Sequence, residues 1–307
     1  MNHPRPQNVW TLKQALAAAE RTGCALGSFS PRLTPLVQPI LTAGQKTHSP
    51  LIVQMSQREM ARYNVTPGEI ADEFYGQVAA LNIAVPVVLH LDHTKDISVI
   101  EAAIAAGFTS VMIDASEQEL DINIQISKAV ANYAHAHGVS VEAELGKIGT
   151  TDFVETEKDE ELYTHPDEAR RFVDETGVDA LAVSVGTAHG VYRVRQPKVD
   201  YERLKAIRAL TPVHLVLHGG SGVPAEMMAQ AIRLPGGGVS KVNIATDLEI
   251  AFLTALGRAE DQRMSNAECK ALPPEQLAIG RAAVEATVTD KIMNFLGSAD
   301  KADAFLT

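Results

Sequence analysis

Residues 107–145 read GFTSVMIDASEQELDINIQISKAVANYAHAHGVSVEAEL, and this stretch decides the fold. Its first apolar run, Ser110–Asp114, is short and rich in Val, Met and Ile. Its last, Ser140–Leu145, is again short and apolar at every second position. Between them, Asp121–His137 carries apolar residues at helical spacing and stops at Gly138. A strand, a longer amphipathic helix and a second strand make one unit of a parallel α/β protein.

The same alternation continues in both directions. Eight short apolar runs occur: Cys24–Phe29, Leu51–Met55, Val85–Asp92, Ser110–Asp114, Ser140–Leu145, Ala180–Val185, His214–His218 and Lys241–Ala245. Helix-like stretches follow them at Pro35–Thr47, Pro67–Asn82, Asp96–Ala106, Asp121–His137, Pro166–Thr176, Tyr201–Leu210, Pro224–Ile232 and Thr246–Gly257. Proline near helix starts (Pro67, Pro166, Pro224) and glycine after helix ends (Gly107, Gly138, Gly177) follow the usual asymmetry. A further helix, Thr11–Arg21, precedes the first strand, and a helical region, Pro273–Leu296, follows the last. Eight strand–helix units predict one (β/α)8 TIM barrel with terminal helices, a single domain over residues 1–307. An open doubly wound sheet is the competing architecture, but the first strand–helix turn, SFSPRLTP (28–35), has no GxGxxG fingerprint. One long interruption, Gly146–His165, breaks the rhythm, as a functional loop would.

The composition narrows the function. The 307 residues are 46% hydrophobic and 21% charged, with a net charge of −11. Such acidity argues against nucleic acid and anionic membrane as partners. Two cysteines make no disulfide framework, no apolar run reaches the ~18 residues of a membrane span, and MNHPRPQNVW lacks a secretory core. A cytoplasmic enzyme is the expectation.

In a TIM barrel the chemistry sits at the C-terminal ends of the strands. There the sequence places His90, Asp92 and His93, then Asp114, Glu142 and Glu144, His189, His218, and Lys241 with Asn243. Alternation puts His90 with Asp92, Glu142 with Glu144, and Lys241 with Asn243 on the inward face, since Leu89, Leu91, Val141, Ala143, Val242 and Ile244 fill the other. Carboxylates buried together need a metal or a partner charge. Three imidazoles from separate strand ends, His93, His189 and His218, suit a catalytic Zn²⁺ or similar divalent ion, with His90 supporting them. The remaining histidines read as ordinary hydrogen-bonded residues. The glycines of HGGSG (218–222), with Asn243 and Thr246, suit an anion at the loops after strands seven and eight.

These motifs together resemble the class II, metal-dependent fructose-bisphosphate and tagatose-bisphosphate aldolase family. The matching stretches are LHLDH (89–93), SVMIDAS (110–116), VEAELGKIG (141–149), LAVSVGTAHGVY (181–192), LVLHGGSGVP (215–224) and KVNIATDL (241–248). The resemblance implies Zn²⁺ ligation by His93, His189 and His218, with Asp114 and Glu144 at an alternative metal position. It implies that Asp92 handles the proton of the hydroxyl at the cleaved bond. Gly190, Gly219, Ser221, Asn243 and Thr246 match positions holding the phosphorylated ketose half, with a monovalent cation nearby, and Ser56 matches another phosphate or substrate contact. The implied reaction is reversible cleavage of a ketose bisphosphate into glycerone phosphate and an aldehyde, by a homodimer or homotetramer.

Two places depart from the family pattern. FSPR (29–32) stands where the family has F-N-x-N, and GTTDF (149–153) puts Asp152 where it has a catalytic Glu. Asp152 is thus expected to move the C3 proton, with Glu155 or Glu157 as substitutes. Arg32, and Lys241 within the barrel, are expected to add positive charge for an anionic substituent; Arg193 and Lys198 are further candidates. Other readings are a different anionic ketose, such as a sulfo-sugar phosphate, and a non-catalytic partner subunit, which the retention of Asp92 and the three histidines disfavours. Strand six offers no lysine for a Schiff base, and strand one no His pair for a metal-dependent hydrolase.

Overall fold

The computed structural model describes residues 5–148, 162–190, 192 and 196–306. Eight parallel strands close into a barrel in sequence order: β1 (Leu26–Phe29), β2 (Leu51–Ser56), β3 (Val87–Thr94), β4 (Ser110–Ile113), β5 (Ser140–Leu145), β6 (Ala180–Val183), β7 (His214–Leu217) and β8 (Val239–Ile244). Closure comes from β1 pairing with β8, Leu26 beside Lys241 and Ser28 beside Asn243.

The helices are α1 (Leu12–Thr22), α2 (Val37–Lys46), α3 (Gln57–Tyr63), α4 (Pro67–Ala80), α5 (Ile97–Ala106), α6 (Leu120–Ala136), α7 (Pro166–Thr176), α8 (Tyr201–Leu210), α9 (Ala225–Ile232), α10 (Thr246–Ala255), α11 (Asn266–Lys270), α12 (Pro274–Asp290) and α13 (Ala302–Phe305). Local chemistry starts and stops them. Thr11 and Thr66 close capping boxes on Gln14 and Glu69, satisfying amides that have no partner within the helix. Gly107 and Gly177 end α5 and α7 in the left-handed conformation that glycine adopts without strain.

All eight expected strands and their helices are present, with local shifts. β1 begins at Leu26 rather than Cys24, and β3 spans Val87–Thr94 rather than Val85–Asp92, with a register shift near its end. The expected 35–47 helix opens with a 3₁₀ turn, Thr34–Leu36, before α2. The C-terminal region divides into α12 and a π-helical segment, Lys291–Leu296. Helix α3 was not anticipated.

Two apolar layers hold the barrel. The outer faces of the strands, such as Val53, Leu89, Val141 and Leu215, pack against the helices. Inside, the lower barrel is filled by Leu26, Ile52, Val88, Met112, Ala180, Ala182 and Val216. Helix α1 seats Leu12, Ala15, Leu16 and Ala19 against that layer and closes the floor. Leu12 and Leu16 are fully buried, each contributing about 1.5–3 kcal/mol. The inward carboxylates and the site histidines thereby lie in the upper half, while Ser140 and His214 at the lower strand ends bond to α1.

Candidate active site at the barrel mouth

Strict alternation along β3 would turn His93 away from the axis, opposite to Asp92. A register shift between Leu91 and Thr94 interrupts it, and His93 takes a φ of 23°. That conformation costs a non-glycine residue about 1–3 kcal/mol. The strain brings the imidazole into the mouth, with its ring centroid 4.4 Å from that of His218 and 4.9 Å from that of His189.

The ligand atoms of His93, His189 and His218 lie within 4.8 Å of one another, and so do those of His93, Asp114 and Glu144. The two groups share His93. Hydrogen bonds decide which nitrogens are left for a ligand. His218 Nε2 lies 2.8 Å from Glu142 Oε1, and His93 Nδ1 lies 3.0 Å from Asp114 Oδ2. His93 Nε2 is buried without a hydrogen-bond partner among the described residues, while His218 Nδ1 and Glu144 Oε2 face each other at 3.2 Å. Leaving a buried nitrogen such as His93 Nε2 unmatched costs about 1–3 kcal/mol, and a cation at this point removes that cost. Nitrogen and carboxylate donors in this number fit a divalent ion of the zinc type.

The electrostatics agree. Burial, reinforced by His93 and His218, pushes His189 down to about 3, so its ring is neutral and able to coordinate. Burial works against charge on His93 too, yet Asp92, Asp114 and Glu144 outweigh it and push that ring up to about 10. The carboxylates demand a cation at this point. Asp114 is held well below the usual carboxylate range, its burial outweighed by His93 and by Ser116, whose hydroxyl donates at 2.7 Å.

Asp92 is 4% exposed, and both its oxygens are fixed by amides. Asn243 Nδ2 donates to Oδ1 at 3.0 Å and Gln54 Nε2 to Oδ2 at 3.1 Å. Each amide is oriented in turn: Lys241 Nζ donates to Asn243 Oδ1 at 2.7 Å, and Ser28 Oγ to Gln54 Oε1. Burial would raise the Asp92 carboxyl, but His93, Lys241 and His218 hold it below its ordinary value. The result is an ionised, aimed carboxylate. Beneath it, Lys241 Nζ lies 2.9 Å from Glu142 Oε2, with both side chains fully buried. The Lys241 charge is therefore matched inside the barrel rather than offered to an incoming anion. His90, bonded to Ser110 at 2.8 Å, is pushed down to about 3 by burial and by Lys241.

Glycines shape the loops after β6 and β7. At Gly219, with φ 70°, a Cβ would stand 2.2 Å from the Ala188 carbonyl oxygen, so only glycine lets the two loops meet. Gly190 has a φ of 115°. Ser221 Oγ accepts from the Asp247 amide at 3.3 Å, and Thr246 begins α10 beside it. Gly219, Ser221, Asn243 and Thr246 thus gather on the β7–β8 side.

Ser56 and Arg32 meet an occupant. Ser56 caps α3, and both its amide and its hydroxyl donate to Glu59 Oε2 at 3.1 Å. Arg32 Nε donates to Glu59 Oε1 at 2.9 Å, its Nη1 to Glu249, and its Nη2 reaches Thr246 Oγ1 at 3.4 Å. Burial disfavours the Arg32 charge, but Glu59 and Glu249 more than compensate and hold the guanidinium above its ordinary value. The expected free cation is already matched by two carboxylates.

Asp152, Glu155, Glu157 and Arg193 lie outside the described residues. Lys198 sits over the Tyr163 ring, 5.6 Å from its centroid. His135 and His214 pair with Asp179 at 2.7 Å and Glu20 at 2.9 Å, as ordinary structural histidines do. Gln54, Ser28, Glu59 and Glu249 were not foreseen. The S-x-x-E capping signal at 56–59 is the one cue that pointed to Glu59.

A closed (β/α)8 barrel whose mouth joins histidine–carboxylate donor groups to a buried ionised aspartate defines the class of barrel enzymes with a divalent-metal type of site at the strand ends. Comparison with known proteins gives the family. Residues 10–301 match the family model "Fructose-bisphosphate aldolase class-II". A fructose-bisphosphate aldolase from Geobacillus stearothermophilus is 39% identical, covering 95% of this chain and 98% of the relative. One from Staphylococcus epidermidis is 36% identical, with the same coverage. Among solved structures, the YdjI aldolase from Escherichia coli K12 superposes with a TM-score of 0.79 at 30% identity, covering 96% of this chain and 99% of that one. A putative fructose-1,6-biphosphate aldolase from Coccidioides immitis gives 0.76 at 27%, covering 94% and 96% respectively.

The chain belongs to the class-II fructose-bisphosphate aldolase family. It is an aldolase, a carbon–carbon lyase on a TIM barrel, in a family that is generally metal-dependent and acts on phosphorylated sugars.

Proposed function

We propose that this aldolase reversibly cleaves a phosphorylated ketose between C3 and C4, giving glycerone phosphate and an aldehyde. The observation that carries the reading is the clamped, ionised Asp92 beside two converging histidine–carboxylate donor groups, in which His93 Nε2 is buried with no hydrogen-bond partner among the described residues. His93, His189 and His218 would hold Zn²⁺, with Asp114 and Glu144 as a second donor set around His93. When bound, the ion supplies Lewis-acid polarisation of the ketone carbonyl and stabilises negative charge on the ketone fragment.

The protein does the rest. Gly190, Gly219, Ser221 and Thr246 seat the phosphate of the ketone fragment at the β6–β8 loops. Asp92 takes the proton from the C4 hydroxyl, the C3–C4 bond breaks, and its electron pair stays with the ketone fragment as an enediolate. The aldehyde leaves, and a carboxylic acid on the 146–165 loop, assigned to Asp152, returns a proton to C3. The Gln54 and Asn243 amides keep Asp92 aimed throughout. Residues 1–307 act as one domain.

The test combines metal analysis with turnover. The purified enzyme should carry about one zinc per chain, lose retro-aldol activity with a chelator and regain it on zinc addition. Undiminished turnover in fully chelated protein refutes the metal assignment.

A further inference from the structure

We propose that Glu59 sets substrate choice: its carboxylate is a fixed anion in the β1–β2 sector of the mouth. It favours ketoses whose far end is an uncharged polyol over ketoses phosphorylated at both ends. This rests on the reading of Asp92 given above.

The sector is identified by elimination around the ring. The ends of β3 to β7 carry His93, Asp114, Glu144, His189 and His218. The loops after β7 and β8 carry Gly219, Ser221 and Thr246. What remains beside Asp92 is β1–β2, and Ser56 of β2 pairs directly with Asp92 in register. The fragment released at Asp92 therefore extends over this sector.

The buried donors there are directed at Glu59 and Glu249. Ser30 Oγ donates to Oε2 at 2.9 Å, the Ser56 hydroxyl and amide donate to the same oxygen, and Arg32 Nε donates to Oε1. Glu249 adds a second carboxylate, held by Arg32 and by the Tyr63 hydroxyl. Arg32, Glu59 and Glu249 have side-chain exposures of 13%, 13% and 11%, so little water screens them. One buried guanidinium faces two carboxylates, so the buried part of the sector is net negative. Arg263, 3.6 Å from Glu249, is half exposed and compensates weakly. Arg32 also holds a left-handed φ of 57°, a conformation a non-glycine residue keeps only when its contacts demand it. A phosphate arriving here finds no uncommitted donor among the buried described residues and meets a like charge, whereas sugar hydroxyls find carboxylate acceptors.

The experiment measures zinc-loaded enzyme on matched pairs, a ketohexose 1-phosphate and its 1,6-bisphosphate, in the fructose and tagatose configurations. Wild-type kcat/KM should favour the monophosphate by about tenfold or more, and Glu59→Gln should cut that ratio about tenfold, chiefly through KM of the bisphosphate. The glutamine keeps an acceptor for Ser30 and Ser56 while removing the charge. Glu59→Ser provides a second variant, with thermal melts reporting the fold of both. A wild type that prefers bisphosphates, or a ratio unmoved in both folded variants, overturns the assignment. Proton exchange at C3 of glycerone phosphate, which involves only the ketone half, separates the two readings. Exchange with the wrong ratio overturns Glu59 alone; no exchange overturns the aldol reading and this one with it.

Discussion

Replacing Lys241 with methionine tests the polar column under the active site. The side chain keeps its length and loses its charge, so packing changes little. Two partners are stranded: Glu142 Oε2, 2.9 Å from Nζ, and Asn243 Oδ1, 2.7 Å from it. Both charged side chains are fully buried, and breaking such a pair from one side costs about 3–5 kcal/mol. Glu142 keeps the His218 ring on its other oxygen, which places the loss near the lower end, about 3 kcal/mol. For 307 residues that corresponds to roughly 5 °C in Tm. Neutralising the partner as well should restore most of it: Lys241→Met with Glu142→Gln should recover about 2 kcal/mol relative to the single change. Urea denaturation of chelator-treated protein measures this free of stabilisation by any bound metal. A single-variant loss under about 1 kcal/mol, or strictly additive losses, would refute the claim that Lys241 serves to match Glu142.

Three further outcomes follow from the geometry. Asp92→Asn preserves shape and removes the base; kcat should fall about 10²- to 10⁴-fold while zinc content stays near wild type, and residual activity above about a tenth would remove Asp92 from its role. Gly219→Ala forces a Cβ to 2.2 Å from the Ala188 oxygen between the loops carrying His189 and His218, so competition with a chromogenic chelator should show zinc binding at least about tenfold weaker. On the opposite face of the barrel, burial alone would raise Glu20, but hydrogen bonds from His214 and Ser240 and the Arg208 charge hold it below its ordinary 4.5. Its stabilisation is complete above that value and disappears as pH falls through the lower folded-state value; Glu20→Gln should therefore flatten the acid limb of a Tm–pH curve, and an identical limb would contradict the contact.

The barrel was legible because parallel strands buried on both faces write themselves as short apolar runs, and the run–helix rhythm repeats eight times. The inward polar set was legible for the same reason, since period-two alternation separates Glu142 and Glu144 from Val141 and Ala143. His93 is the exception that alternation misplaces, because a bulge is a property of the backbone and not of residue type. The clamp on Asp92 is tertiary: Gln54 and Asn243 come from 38 and 151 residues away, and no local pattern records them. Arg32 read as a free cation because its two counter-charges, Glu59 and Glu249, lie on other elements, one of them the short helix α3.

Helix α1 lies beneath the strands, with Leu12 and Leu16 against Leu26, Val88 and Val216. The barrel is therefore a blind well. Both products must depart through the same opening by which the substrate came in, and neither can drain through the floor. Whichever fragment lies uppermost governs the exit of the other, so the order of release is a matter of traffic at a single door.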